Sequence, residues 1–309
     1  MTAGNGNAAI ALTDVSRWYG NVVAVNDVSF ELPPGIHGLL GPNGAGKSTI
    51  LHMLAGFLQP SQGEVRVLGQ PAWRNVALYR DLGLVQERES VYPFQTGYDF
   101  VLTSARLHGL ADPDAATRNA IAQVQLEDAA DRATGGYSKG MRQRIKVAAA
   151  MVHDPQVLLL DEPFNGMDPR QRIHMMGLLR EMAEAGKTIV FSSHILEEVE
   201  RLAENVLVIV AGRLAASGDF RQIRRLMTDR PHTVTVRSSD NRALASALAS
   251  DESVQGLEFA DGVLTVRTGE LSAFALAAPR LAKERDIRLM ELRPTDESLE
   301  SVFSYLVSR

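Results

Sequence analysis

Hydrophobic and polar residues alternate over residues 10–32, and this period of two predicts β-strands with one buried face. A Pro-Pro-Gly segment breaks the alternation, and a short apolar run then leads into a glycine-rich stretch. A helix is predicted over residues 48–57, directly after the glycines, followed by a turn and a strand over 60–69. The chain therefore begins as a strand-rich region that leads into one helix.

The period changes near residue 96, where apolar residues begin to recur at every third or fourth position. This pattern continues to about residue 153 and predicts a helical insertion. After it, the apolar runs VLLLD, TIVFSS and VLVIV are separated by amphipathic stretches at 170–186 and 195–204. Such a succession predicts βαβ units, and the continuous apolar runs are typical of buried strands in a mainly parallel sheet.

A second unit is predicted from about residue 229. Its pattern reads strand, helix, two strands turning at Asp261-Gly262, helix and strand, which is the βαββαβ order of ferredoxin-like domains. A closing amphipathic helix is predicted over residues 298–307. The expected domains are residues 1–228, with the helical insertion at about 96–153, and a small α+β accessory domain over 229–309.

Composition excludes several classes of function. The 309 residues include 32 basic and 37 acidic side chains, and the net charge of -5 gives no electrostatic footprint for nucleic acid. The absence of cysteine excludes disulfides, thiolate metal sites and cysteine nucleophiles. No run of about 18 apolar residues is present, so any membrane role is expected to require a partner.

The glycine-rich stretch GPNGAGKST at 41–49 matches the phosphate-loop pattern Gly-x-x-x-x-Gly-Lys-Ser. Its backbone amides can surround phosphates, the Lys47 ammonium can reach the β and γ groups, and the Ser48 hydroxyl can hold Mg²⁺. An incidental glycine-rich turn is the alternative, and the strand before it and the helix after it argue against that. The predicted ATP-binding residues here are Gly41, Pro42, Asn43, Gly44, Ala45, Gly46, Lys47, Ser48 and Thr49.

Two adjacent carboxylates follow an apolar strand in LLLDEP at 158–163. Asp161, at the tip of the buried strand, is expected to face the magnesium ion of a bound nucleotide. Glu162 comes directly after it and can polarise a water molecule for in-line attack on the γ-phosphate. The alternative is a solvated acidic strand end. With the phosphate loop, the pair predicts nucleotide hydrolysis.

The segment YSKGM at 137–141 resembles the Leu-Ser-Gly-Gly-Gln signature of ATP-binding cassette (ABC) proteins. Ser138 and Gly140 match, whereas Tyr137, Lys139 and Met141 differ in a way that is similar to many ABC-2-type export ATPases. The resemblance implies a P-loop NTPase core with a mainly parallel sheet, an antiparallel β subdomain and a helical insertion. It also implies that the four residues from Ser138 to Met141 contact ATP held by a second copy or a paralogous subunit.

Other residues take roles that the resemblance implies. Tyr19 would stack on adenine, Asp168 would belong to the D-loop at 165–168, and His194 would be the switch histidine beside the γ-phosphate. The Q-loop position falls on either Gln86 or Glu87, and the sequence leaves this choice open. The predicted catalytic residues are Lys47, Glu162 and His194, and the predicted metal ligands are Ser48, Asp161, Gln86 and Glu87.

The resemblance implies an ATP- and Mg²⁺-dependent subunit that drives efflux of a hydrophobic small molecule through separate ABC-2-type permease subunits. It would act at the cytoplasmic face of the plasma membrane. The ending SLESVF at 298–303 is similar to the tail of ABC-2-type drug and lipid exporters. The aromatic stretch at 92–100 either lines the groove where a permease helix docks or belongs to the core.

Three other functions are weighed against drug efflux. Export of a lipid or cell-envelope precursor is the second choice. A soluble ABC ATPase acting on ribosomes or DNA is disfavoured because the chain has one cassette and neither a charged linker nor a long coiled coil. A kinase or GTPase is disfavoured because the guanine-binding Asn-Lys-x-Asp motif is absent.

Overall fold

The computed structural model describes residues 8–88, 91–219, 231–260 and 263–294. The chain divides into two compact units, and the division falls between Gly218 and Asp219. The predicted boundary at residue 228, the turn at 261–262 and the helix at 298–307 lie outside the described residues. Each unit is described by itself.

The first unit contains ten strands and six α-helices within its described residues. The strands are β1 (Ile10–Tyr19), β2 (Val22–Leu32), β3 (Gly35–Leu40), β4 (Gln62–Val67), β5 (Gln70–Pro71), β6 (Leu82–Val85), β7 (Val157–Asp161), β8 (Thr188–Ser193), β9 (Asn205–Val210) and β10 (Arg213–Gly218). The helices are α1 (Lys47–Leu54), α2 (Gly97–Leu107), α3 (Pro113–Gln123), α4 (Lys139–Met151), α5 (Pro169–Glu184) and α6 (Leu196–Leu202).

A six-stranded sheet forms the centre of this unit, in the order β10-β9-β3-β8-β7-β6. All neighbouring strands are parallel except β10, which runs antiparallel to β9. Strands β3, β7 and β8 are buried along their whole length, which explains why their sequences are apolar without alternation. The predicted mainly parallel sheet is confirmed.

A second, antiparallel sheet has the order β2-β1-β4-β5. Its alternating residues, such as Ile10, Val28 and Val65, are buried in one core with Ile50 and Leu54 of α1. The predicted helix after the glycines therefore packs its apolar stripe beneath the alternating strands. This core also holds the end of β3 in place, where the glycine-rich loop begins.

The stretch at 96–153 is helical, as predicted. Each of its three helices begins at a side chain that accepts a hydrogen bond from a helix amide: Thr96 for α2, Asp112 for α3 and Ser138 for α4. Helix α4 is almost entirely buried. Its N-terminus is consequently fixed by packing along the rest of the helix.

The second unit consists of β11 (His232–Ser238), α7 (Asn241–Leu248), β12 (Val254–Ala260), β13 (Val263–Thr268), α8 (Leu271–Glu284) and β14 (Leu289–Pro294). Its strands form an antiparallel sheet in the order β12-β13-β11-β14, which confirms the ferredoxin-like arrangement. Leu244 and Phe274 of the helices are buried against Val234, Val236 and Val266 of the sheet. Across the parts of the chain that the structure describes, no helix is long and apolar enough to cross a membrane.

Candidate functional site

A polar cavity of about 330 Å³ lies where β3, β7 and β8 end, beside the N-terminus of α1. Ligands commonly bind at the carboxyl ends of parallel strands. Most of the predicted catalytic and phosphate-binding residues meet there. The lining residues are Ala24, Asn43, Gly44, Gly46, Lys47, Ser48, Thr49, Glu87, Asp161, Glu162 and His194.

The glycine-rich loop has two positions at which a side chain would collide with neighbouring backbone. A Cβ atom on Gly41 would lie 2.4 Å from the Ile209 carbonyl oxygen, and one on Gly46 would lie 2.4 Å from that of Ala24. Gly46 also has a φ of +107°, which L side chains rarely adopt. The loop is thus held close to the neighbouring backbone, and helix α1 begins at Lys47 with its amides directed at the cavity.

The Lys47 side chain is buried inside the loop. Its ammonium donates hydrogen bonds to the carbonyl oxygens of Gly41 at 2.8 Å and Pro42 at 3.2 Å. Burial lowers the pKa of Lys47, while nearby carboxylates, chiefly that of Glu162, act in the opposite direction. The cation is therefore fixed at the base of the cavity by both the loop and the acidic strand end.

Two acidic residues at the end of β7 face the same cavity. Asp161 and Glu162 are both buried, and Glu162 Oε1 lies 2.9 Å from His194 Nδ1, which donates to it as the ring N–H. The histidine is about half exposed and lines the cavity. The glutamate, the histidine and the lysine are thus assembled into one group.

The segment that carries His194 is anchored from the opposite side of the sheet. Ser193 Oγ accepts a hydrogen bond from the Ile195 amide and donates one to Glu198 Oε2 at 2.6 Å. Glu198 also lies 3.3 Å from Arg172 of α5. Burial raises the pKa of Glu198, whereas Ser193 and Arg172 lower it.

Oxygen donors at the cavity match the preference of Mg²⁺. The Ser48 hydroxyl and the Asp161 and Glu87 carboxylates all line it. Among the described residues, no group of three or more His, Cys, Asp or Glu side chains could hold a metal by itself. Such a set suits an ion that takes a few protein oxygens and completes its shell with phosphate and water.

The two candidates for the Q-loop position lie in different places. Glu87 lines the polar cavity, whereas Gln86 lines a separate groove. Successive residues of an extended segment point in opposite directions, which accounts for the separation. Lys146 of α4 fixes this segment by donating to the Gln86 carbonyl at 2.7 Å. The placement favours Glu87 over Gln86 as a group that can approach a bound ion.

The signature residues do not line the cavity. Ser138 caps α4 by accepting a hydrogen bond from the Met141 amide, and Lys139 packs against Gly166 of the D-loop segment. A Cβ atom on Gly140 would lie 2.6 Å from the Gly166 carbonyl oxygen. These residues therefore form a second surface next to the D-loop.

Two further predicted residues also lie outside the cavity lining. Asp168 caps α5 by accepting a hydrogen bond from the Gln171 amide at 2.9 Å. Tyr19, at the end of β1, is about half exposed and has the Arg17 guanidinium 4.6 Å from its ring centre. The ring is therefore partly exposed and is in cation–π contact with Arg17.

A groove of about 560 Å³ lies between β6 and helices α2 and α4. Tyr92, which is 59% exposed, and Leu107, which is 84% exposed, lie at its edge. Two histidines, His108 and His153, stack inside it with ring centres 3.6 Å apart. Burial, with a smaller contribution from His108, lowers the pKa of His153 to about 4.

Sequence reasoning missed two residues that contact Glu162. Ser192 lies beside Asp161 in the β7–β8 register and binds both acidic residues, and Gln143 of α4 donates to the Glu162 carbonyl. At residues 192–194 the resemblance assigned a role only to His194. A polar residue inside an otherwise apolar strand was the available signal for Ser192.

This fold and this cavity define a phosphate-loop ATPase. The ABC transporter family model matches residues 25–165. The linearmycin resistance ATP-binding protein LnrL of Bacillus subtilis is 31% identical over 96% of this chain and 97% of its own length. The chain therefore belongs to the ABC transporter family and is the ATPase subunit of an ABC exporter.

Two further similarities are relevant. The Nod factor export ATP-binding protein I of Rhizobium etli is 37% identical over 68% of this chain and 68% of its own length. The solved dimeric structure of the bacterial ABC transporter cassette MJ0796 has a TM-score of 0.64 and 23% identity. It covers 68% of this chain and 98% of the cassette. At that identity the structure supports the fold alone.

Proposed function

We propose that this chain is the ATP-hydrolysing subunit of an ABC-2-type exporter. Two copies, or one copy and a paralogous subunit, close around two ATP molecules and drive efflux of a hydrophobic small molecule through separate membrane subunits. The observation that carries the proposal is the meeting of Lys47, Ser48, Asp161, Glu162 and His194 in one cavity.

The cavity supports a division of labour in hydrolysis. The loop amides and Lys47 bind the triphosphate, and Ser48 and Asp161 are the residues that would hold Mg²⁺. When bound, Mg²⁺ neutralises charge on the β- and γ-phosphate oxygens. Glu162 accepts a proton from the attacking water, and His194 orients the glutamate through the 2.9 Å hydrogen bond.

The signature surface completes the site of the partner subunit. Ser138 and Gly140 lie at the N-terminus of α4, whose amides and dipole favour an anion, but they do not line their own chain's cavity. Contact with ATP on the facing subunit gives these residues a ligand. ATP binding then favours the closed dimer because each nucleotide touches both chains.

The groove beside β6 is the proposed docking site for a permease helix. Tyr92 and Leu107 present exposed apolar surface at its edge. Such a surface suits the apolar face of an amphipathic helix. Of the two alternatives for the aromatic stretch, exposure of Tyr92 favours the groove. Docking there would hold the subunit at the cytoplasmic face of the membrane.

Antibiotics are the favoured class of cargo because the resistance protein LnrL is similar to this chain over nearly its whole length. Export of a lipid or cell-envelope precursor is the second candidate. The similarity to a Nod factor export protein, over 68% of the chain, supports it.

Co-purification distinguishes these functions. Tagged chain carrying Glu162→Gln, which should retain ATP, is expected to bring down a membrane protein in detergent. Deletion of the gene should lower the inhibitory concentration of hydrophobic antibiotics, with complementation by wild type but not by the variant. Co-sedimentation with ribosomes in place of a membrane partner would overturn the exporter assignment.

A further inference from the structure

The backbone of Glu162 adopts a conformation that is uncommon for a residue with a side chain. Its φ is +50°, in the left-handed region, directly after the extended strand β7. In a continued strand, successive side chains alternate between the two faces of the sheet. Glu162 would then face away from the cavity that Asp161 faces. The left-handed turn brings both carboxylates to the same cavity.

A serine of the neighbouring strand holds this turn. The Ser192 hydroxyl accepts a hydrogen bond from the Glu162 amide at 2.9 Å and donates one to Asp161 Oδ1 at 2.5 Å. Ser192 is fully buried and stands opposite Asp161 in the parallel register of β7 and β8. One hydroxyl therefore fixes the end of the strand and the residue that follows it.

A glutamine of α4 holds the other side of the same residue. Gln143 is buried, and its Nε2 donates to the Glu162 carbonyl oxygen at 3.3 Å. It lies on the helix that Ser138 caps, five positions further along. The peptide groups on both sides of the Glu162 Cα atom are thus bound by side chains from two different elements.

We infer that Ser192 and Gln143 are positioning residues that hold Glu162 in its left-handed conformation and so aim its carboxylate at the attacking water. Gln143 further connects the signature helix, which serves the partner's nucleotide, to the glutamate of its own site. This inference rests on the proposed role of Glu162 as the general base.

Steady-state ATPase kinetics of the purified full chain test the inference. Ser192→Ala and Gln143→Met, which removes the amide and keeps a similar length, are each expected to lower kcat roughly 10- to 100-fold, since small displacements of a catalytic group have effects of this size. At saturating Mg²⁺, the KM for ATP should change less than about twofold, because neither residue lines the cavity. Ser192→Thr keeps the hydroxyl and should recover most of the turnover.

A double-variant comparison separates positioning from general damage. If Gln143 acts through Glu162, Gln143→Met should change the slow turnover of Glu162→Gln by less than about twofold, because residues that act as a unit are not additive. If the double variant instead loses turnover by the product of the two single losses, the inference is overturned, whereas the proposed function is not. Near-normal turnover of Glu162→Gln alone would instead overturn the general-base assignment on which both depend.

The two positioning residues also differ in a second measurement. The Ser192 hydroxyl donates a hydrogen bond to Asp161, whereas the Gln143 amide donates one to the carbonyl oxygen of Glu162. Ser192→Ala should therefore raise the Mg²⁺ concentration needed for binding of a fluorescent ATP analogue several-fold, and Gln143→Met should not. Equal shifts in both variants, or none in either, would contradict the assigned contacts. Ser192→Cys replaces Ser192→Ala if the alanine variant does not fold.

Discussion

Two concavities of the first unit differ in the chemical character of the side chains that line them. The phosphate-loop cavity is lined by charged and polar groups, and Lys47, Glu162 and His194 contact or face one another inside it. The groove beside β6 is lined mainly by apolar and aromatic side chains, and its two histidines are stacked and partly buried. This difference assigns hydrolysis to the polar cavity and partner binding to the apolar groove. Substitutions in one concavity should leave the activity of the other unchanged.

The largest expected effect comes from Glu162→Gln in the polar cavity. The amide cannot accept a proton, so turnover should fall roughly 10²- to 10⁴-fold, the usual contribution of a general base. ATP binding, measured by equilibrium titration, should be retained. Near-normal steady-state hydrolysis would show that the two concavities do not divide the work as described.

The main effect of Lys47→Ala should be on ATP binding. Loss of a buried, charge-assisted contact to phosphate is expected to raise the ATP dissociation constant roughly 10- to 100-fold. The same titration with Lys283→Ala, which removes an exposed ammonium of the second unit, is the matched control. An unchanged dissociation constant for Lys47→Ala would count against the phosphate-binding role.

Leu107→Glu at the groove should affect the partner and leave hydrolysis by the purified chain unchanged. Its side chain is 84% exposed, so the folded state should tolerate the charge. Capture of the membrane subunit should fall about tenfold, on the basis of one lost apolar anchor. Ile173→Glu, at a 62% exposed position outside the groove, is the control. Equal loss with both variants would refute the docking site.

The smallest expected effect is a pH dependence of stability that originates in the groove. The pKa of His153 is lowered to about 4 in the folded chain, from 6.5. The unfolded chain therefore binds more protons between these values, and stability present above pH 6.5 is lost as the pH falls toward 4. Allowing for its partial exposure, the contribution is about 1–2 kcal/mol.

Thermal unfolding of wild type and His153→Phe over this pH range tests the assignment. The variant keeps an aromatic ring beside His108 and loses the titrating group, so its unfolding midpoint should depend less steeply on pH. His52→Phe, which replaces a histidine outside the groove, serves as a control. Parallel curves for wild type and His153→Phe would contradict the lowered pKa.

Local signals in the sequence were sufficient for the parts of the site that are continuous in the chain. The loop at 41–49 and the strand end at Asp161 were predictable because one segment carries both the pattern and the chemistry. The helical insertion and the ferredoxin-like order followed from periodicity. The signature segment gave the family, although its residues lie outside their own chain's cavity.

The contacts that hold Glu162 were not predictable in the same way. Strands β7 and β8 are neighbours only because of the sheet order, and their register decides that Ser192 stands opposite Asp161. Gln143 reaches the glutamate from a helix 19 positions earlier. The choice between Gln86 and Glu87 likewise depended on which way each side chain points, which the pattern of residue types did not determine.

The adjacent serines at the end of β8 have a consequence for how this site can change in evolution. Ser192 contacts the acidic residues on one face of the sheet, and Ser193 contacts Glu198 of α6 on the other. The two residues are chemically identical. They make different contacts because successive side chains of a strand point to opposite faces of the sheet. Point substitutions can alter each task separately, but deletion of a single residue from β8 would exchange the faces of both serines and displace His194 in the same event.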